Sequence, residues 1–169
     1  MSDRLPPREY YARLPNHLAG AGILLRRPGG RVLLVQPDYN NDATWEIPGG
    51  ALDHGEFPWQ AAVREVKEEL GLDLAPGRLL VVDIVPAQPD GRPPLINFLF
   101  DAGELSDEDA ERLRPADDEL KGLAWCDRSQ WHQRLAPHLA RRIDACVQAA
   151  DTGITAYLQY GWPPEAGHH

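Results

Sequence analysis

Residues 50–72 read Gly50-Ala51-Leu52-Asp53-His54-Gly55-Glu56-Phe57-Pro58-Trp59-Gln60-Ala61-Ala62-Val63-Arg64-Glu65-Val66-Lys67-Glu68-Glu69-Leu70-Gly71-Leu72. From Phe57 to Leu70 the apolar residues Trp59, Ala62, Val63, Val66 and Leu70 recur at helical spacing, and Gly71 stands where a helix is capped. At about 100° per residue, Glu65, Glu68 and Glu69 fall within roughly a third of a turn of one another, opposite that stripe. Like charges at such spacings each cost about 0.2–0.5 kcal/mol, and anions in the last turn also oppose the helix dipole. Local stability therefore argues against the arrangement. A hard divalent cation reverses the argument, because clustered carboxylate oxygens become an Mg²⁺ or Mn²⁺ site once their repulsion is neutralised.

Upstream, His17 to Gln36 predicts a β-hairpin: an apolar run from Leu18 to Leu25, turn chemistry at Pro28-Gly29-Gly30, and the run Val32-Leu33-Leu34-Val35. Thr44 to Ile47 is a short extended segment halted by a sharp turn at Pro48-Gly49-Gly50, where side chains are absent. Downstream, Arg78 to Val85 and Leu95 to Asp101 predict an antiparallel strand pair. Glu104 to Pro115 is weakly helical, Leu120 to Trp125 is a further strand, and Ser129 to Ala150 is helical with a break near Pro137. Strands and helices alternate without an internal repeat, which predicts one α/β domain around a mixed sheet. The expected organisation is an extension over 1–16, the domain over 17–150, and an extension over 151–169 that folds back over the surface or frays.

A chain of 169 residues suits one such core. Its net charge of −9 opposes attraction to phosphate backbones and anionic lipid, so neither a nucleic acid nor a membrane is an expected partner. An acidic protein that handles a phosphorylated ligand must neutralise it locally, and a bound cation does so. No stretch of secretory-signal or membrane-spanning character is evident, and Cys126 and Cys146 lack metal-site spacing, so the expectation is a cytoplasmic protein with reduced, packed thiols. Trp59, Trp125 and Trp131 are expected in or beside the core.

Gly50, five residues, Glu56, seven residues, then Arg64-Glu65-Val66-Lys67-Glu68-Glu69-Leu70-Gly71-Leu72 resembles the Nudix box, G-x5-E-x7-R-E-U-x-E-E-x-G-U, at all seven fixed and both aliphatic positions. At about 7% usage per residue type, seven fixed matches arise by chance on the order of 10⁻⁸ per starting position. The entry segment Trp45-Glu46-Ile47-Pro48-Gly49-Gly50 and the Leu120 to Trp125 segment resemble the family's flanks. The resemblance implies a Nudix-type α/β/α sandwich with a central mixed β-sheet. It also implies divalent-metal hydrolysis of the diphosphate linkage of a nucleoside triphosphate, nucleotide sugar, ADP-ribose, dinucleoside polyphosphate or other small organic diphosphate. A homodimer is its further implication.

Carried over to this chain, the resemblance assigns Glu65 and Glu69 as main metal ligands, with Glu68 sharing the site and the Gly49 carbonyl as a backbone ligand. Arg64 would hold a carboxylate in place, and Glu56 would brace the loop or reach the metal through water. A base for the attacking water is expected from a loop outside the box: Glu119, with Asp118 the rival and Glu68 the fallback. Tyr39 and Asn41, in the loop before the box, are candidates for contacting a base or ribose. The competing reading from another class is a nucleotide-sensing domain that keeps the fold and binds without turnover.

Overall fold

The computed structural model describes residues 5–38, 44–116 and 119–165. Tyr39, Asn41 and Asp118 lie outside the described residues. In chain order the elements are α1 (Pro7–Ala12), β1 (Leu18–Arg27), β2 (Arg31–Pro37), β3 (Gly49–Ala51), α2 (Pro58–Leu70), β4 (Leu79–Val85), β5 (Leu95–Glu104), α3 (Asp107–Arg112), β6 (Leu120–Cys126), α4 (Arg128–Arg134), α5 (Pro137–Thr152) and β7 (Ala156–Gln159).

The described strands form one mixed sheet in the order β6-β2-β1-β5-β4-β7, with β3 beside β1. The hairpin is present, but β1 and β2 pair only next to the turn, Arg26 with Val32 and Arg27 with Arg31. Farther along they splay, and the segment entering the box lies between them: Glu46 bridges Val35, and Gly49, Gly50 and Ala51 pair with Gly22, Ala21 and Gly20. The sharp turn expected at Pro48-Gly49-Gly50 is thus a short strand instead. Glycines on both partners let the two backbones come together there, a pairing that local turn chemistry does not reveal.

Both faces of the sheet are covered, which is why consecutive residues Ile23, Leu24 and Leu25 on β1 are all fully buried. One face carries Ala21, Ile23, Leu25, Leu33 and Val35 against Ala61, Ala62, Val66 and Leu70 of α2. The other carries Leu24, Val32, Leu34, Leu80 and Leu99 against Trp131 of α4 and Ala140, Ile143 and Cys146 of α5. The α/β/α sandwich follows from these two cores. Val66 is fully buried, so Val66→Ala is expected to cost about 1–3 kcal/mol in a denaturant melt while leaving the chemistry of the acidic face in place.

α2 begins at Pro58, with the Phe57 N–H bonded to Gln60 Oε1 at 3.1 Å, and ends where Gly71 turns left-handed at φ 67°. Trp59 does not join the core: it is 44% exposed, and its indole N–H donates to the Pro76 carbonyl at 2.8 Å. Trp131 is buried and Trp125 half-buried. The break near Pro137 separates α4 from α5, Pro137 opening the second helix at its first position. Residues 156–159 of the tail pair parallel to β4 as an edge strand. Cys126 and Cys146 are free and buried, and burial pushes the Cys146 thiol up to about 12. No helix of the described residues is long and apolar enough to cross a membrane.

Candidate active site

The strand β3 and the helix α2 meet at two glycines. Gly49 has φ 145°, and a Cβ there would overlap the backbone of Ala21 and Gly22. A Cβ on Gly50 would overlap the carboxylate of Glu65, so the helix's first acid is packed directly against bare main chain. The Gly49 N–H donates to Glu69 Oε2 at 3.0 Å. Glu69 is consequently buried, 7% exposed, rather than lying on an evenly solvated acidic face.

Arg64 gathers the other acids. Its Nε and Nη2 donate to the two oxygens of Glu56, each at 3.0 Å, in a bidentate pair. Its Nη1 donates to Glu65 Oε1 at 2.8 Å and to Glu68 Oε2 at 3.0 Å, and Nη2 also reaches the Ala51 carbonyl at 3.0 Å. Glu56 in turn accepts the Asp53 N–H at 2.9 Å, closing the loop between β3 and α2. One guanidinium thus fixes three carboxylates and the end of β3.

The electrostatics follow from these contacts. The Arg64 hydrogen bonds, with that from Asp53, hold the Glu56 carboxyl below its ordinary range. The Arg64 guanidinium is raised, chiefly by Glu56. The Glu65 carboxyl is pushed up, first by burial and then by the charges of Glu68 and Glu119, against the opposing pull of Arg64. Glu119, exposed and just before β6, is therefore near enough for Glu65 to feel its charge. Its carbonyl accepts the Asp38 N–H at 2.6 Å, and Lys121 pairs with the Asp38 carboxylate at 2.8 Å, which tie the start of β6 to the end of β2.

Among the described residues no group of three or more His, Cys, Asp or Glu side chains is arranged to hold a metal by itself. The donor set nevertheless suits a small hard cation. Glu65 and Glu68 present oxygens that share a single donor nitrogen, so they lie close together, and bare glycine backbone adjoins Glu65. One or two carboxylates completed by peptide oxygens, water and substrate phosphate is the usual Mg²⁺ arrangement.

Gly49 and Gly50 also border a cavity of about 240 Å³ that runs along β1 and β5 to α5, with Glu46, Asn97 and Arg142 among its lining residues. The polar members of this wall were not singled out by sequence reasoning. For Arg142 the signal was present: it interrupts the buried face of α5, and its partner Asp83, which does not line the cavity, interrupts the apolar run of β4.

A family model described as the NUDIX domain matches residues 16–146. The chain belongs to the Nudix family. An RNA pyrophosphohydrolase from Roseobacter denitrificans is 40% identical over 65 residues, 38% of this chain and 40% of that protein. Nudix hydrolase 5 from Arabidopsis thaliana is 36% identical over 61 residues, 34% of this chain and 20% of that protein. The chain thus spans less than half the length of these curated relatives. Among solved structures, a MutT NUDIX hydrolase from Burkholderia pseudomallei is 26% identical with a TM-score of 0.59, covering 79% of this chain and 97% of that one. The MutT protein from Methanosarcina mazei Go1, at 19% identity and a TM-score of 0.65, covers 82% and 97% and shares the fold.

Within the Nudix box, Arg64→Lys removes the planar fork that serves Glu56, Glu65 and Glu68 together. Because ligand-orienting partners of this kind are worth about 10- to 100-fold, turnover is expected to fall by that factor, read from initial rates at saturating cation.

Proposed function

We propose that this Nudix domain hydrolyses the diphosphate linkage of a nucleoside diphosphate derivative or other small organic diphosphate. Mg²⁺ or Mn²⁺ would be held by Glu65, Glu68 and Glu69 with the Gly49 carbonyl, and Glu56 would be close by. The observation that carries the reading is the Arg64 network, which concentrates carboxylates beside glycine backbone. When bound, the cation would offset the charge of the diphosphate oxygens and acidify the attacking water.

The chain's own residues supply the rest. Arg64 keeps Glu65 and Glu68 in register, Glu69 fixes the Gly49 peptide, and the β3 glycines let β1 and the Glu65 carboxylate pack directly against main chain. Glu119 is the base that accepts the water's proton, and its electrostatic influence on the Glu65 carboxyl supports that role. A sensing domain without turnover would have no need of the whole Arg64 network. A small molecule is favoured over the end of an RNA chain by the net charge of −9.

The test is product identity. Nucleoside triphosphates, nucleotide sugars, ADP-ribose and dinucleoside polyphosphates are incubated with the protein and Mg²⁺, and the products are separated. Cleavage between two phosphorus atoms in at least one compound is expected. Cleavage confined to phosphate monoesters, or none at all, overturns the reading.

A further inference from the structure

Asp83 on β4 faces α5, where Arg142 holds it, and Leu158 on β7 is buried in the same core. Alternation along a strand therefore turns Val82, Ile84 and Tyr157 to the other side of the sheet, the side on which α2 lies. The register sets them in two rows with β5: Phe98, Val82 and Tyr157 stand abreast, and so do Ile96, Ile84 and Gln159. α2 leaves most of these rows open. It packs chiefly on β1 and β3, and Val82, Ile84, Ile96 and Tyr157 belong to neither buried core. Tyr157 is 48% exposed, and Trp59, held at the surface by the Pro76 carbonyl just ahead of β4, flanks the same face. The two rows hold no charged side chain, on a chain of which 25% is charged.

A second uncovered surface begins at the corner of this one. The Leu18 N–H donates to the Pro94 carbonyl at 2.8 Å, and Leu18 stands beside Leu95, so the segment leading into β1 emerges next to the Ile96 row. That segment carries α1, six residues long, and Tyr10 and Tyr11 on it and Leu14 just after it are exposed. Helices shorter than about 12–15 residues are marginal in water without tertiary contacts. Every residue of α1 is exposed, so its own sheet gives it no such support.

Charge and area point to the occupant. Residues 5–17 carry Arg8 and Arg13 against Glu9, so this arm is net positive on a chain of net −9, and a second copy of the chain offers it the opposite sign. At the uncharged rows two copies meet without opposing like charges, as the centre of a protein interface requires. Three strands about 4.8 Å apart and two rows about 7 Å apart make a patch on the order of 200–300 Å², short of the roughly 800 Å² per partner of a stable interface. The arm adds to that area, and a two-fold axis counts each surface twice.

We propose that the chain forms a two-fold symmetric dimer in which the β5-β4-β7 faces of the two protomers pack together around Val82, Ile84 and Tyr157, with α1 of each protomer lying against its partner. The contact depends on neither the proposed reaction nor a cation.

Sedimentation equilibrium of the full chain at about 10 µM is expected to give twice the 18.8 kDa of one chain. Tyr157→Glu changes an exposed position on an edge strand, so the protomer stays folded, which a melt checks. It brings a charge into the contact twice over, and the dimer dissociation constant is expected to rise about 100-fold or more. Tyr10→Ser combined with Tyr11→Ser is expected to raise it about 10-fold. Hydrogen exchange on the wild type over a dilution series reads the same contact without a substitution: α1 and β7 should lose protection together as the protomers separate. A monomer at about 10 µM, a dimer that Tyr157→Glu leaves unchanged, or exchange in β7 that ignores dilution overturns the proposal. A monomer with a protected α1 makes the chain's own sheet the occupant and overturns it too. Dissociation by Tyr157→Glu but not by the arm variant upholds the sheet contact and overturns the part given to α1.

Discussion

Glu119→Gln is expected to lower kcat about 10²- to 10⁴-fold with little change in KM, the signature of a group needed in the transition state rather than for substrate binding. Glu119 is exposed just before β6, and its charge is one of those that push the half-buried Glu65 carboxyl up. Its backbone is fixed by the Asp38 N–H, and Gln in its place keeps that bond, because only the side chain changes. The tie between β2 and β6 should therefore survive, and a melt alongside the kinetics checks it. If Asp118→Asn carries the loss instead and Glu119→Gln is silent, the base lies one residue earlier. If neither matters, Glu68 becomes the residue to change.

Gly50→Ala is expected to lower turnover about 10²-fold or more while leaving the fold nearly as stable. The added Cβ would occupy the space of the Glu65 carboxylate, which is the far end of a flexible side chain and can swing away at small cost. Displacement of about 1 Å at a reacting centre is enough to cost 10²-fold. Gly49→Ala makes the contrast, because its Cβ would meet the backbone of β1 and its φ of 145° resists a side chain. There the melting temperature should fall along with activity. A fully active Gly50→Ala would separate Glu65 from the chemistry.

Elements stabilised by near neighbours were legible in the sequence. The 3.6-residue stripe from Ala62 to Leu70 with Gly71 behind it, the Pro28-Gly29-Gly30 turn, and Pro137 between α4 and α5 each act within a few residues. The nearness of Arg64, Glu65 and Glu68 follows from the same helical period. What escaped was set by partners distant in the chain. Gly49 and Gly50 form a strand because Gly20, Ala21 and Gly22 lie beside them, and Glu69 turns inward because the Gly49 N–H requires an acceptor. The tail forms β7 because the β4 edge is open to it, and Asp83 finds Arg142 across 59 residues. Trp59 stays outside because the Pro76 carbonyl offers its indole a partner at the surface.

The most direct measurement is turnover of the diphosphate panel by protein stripped of metal, before and after Mg²⁺ is restored. Carboxylates gathered on Arg64 beside bare glycine backbone predict no cleavage in excess chelator and full recovery with Mg²⁺ or Mn²⁺. Undiminished cleavage of a diphosphate linkage with chelator in excess would contradict it.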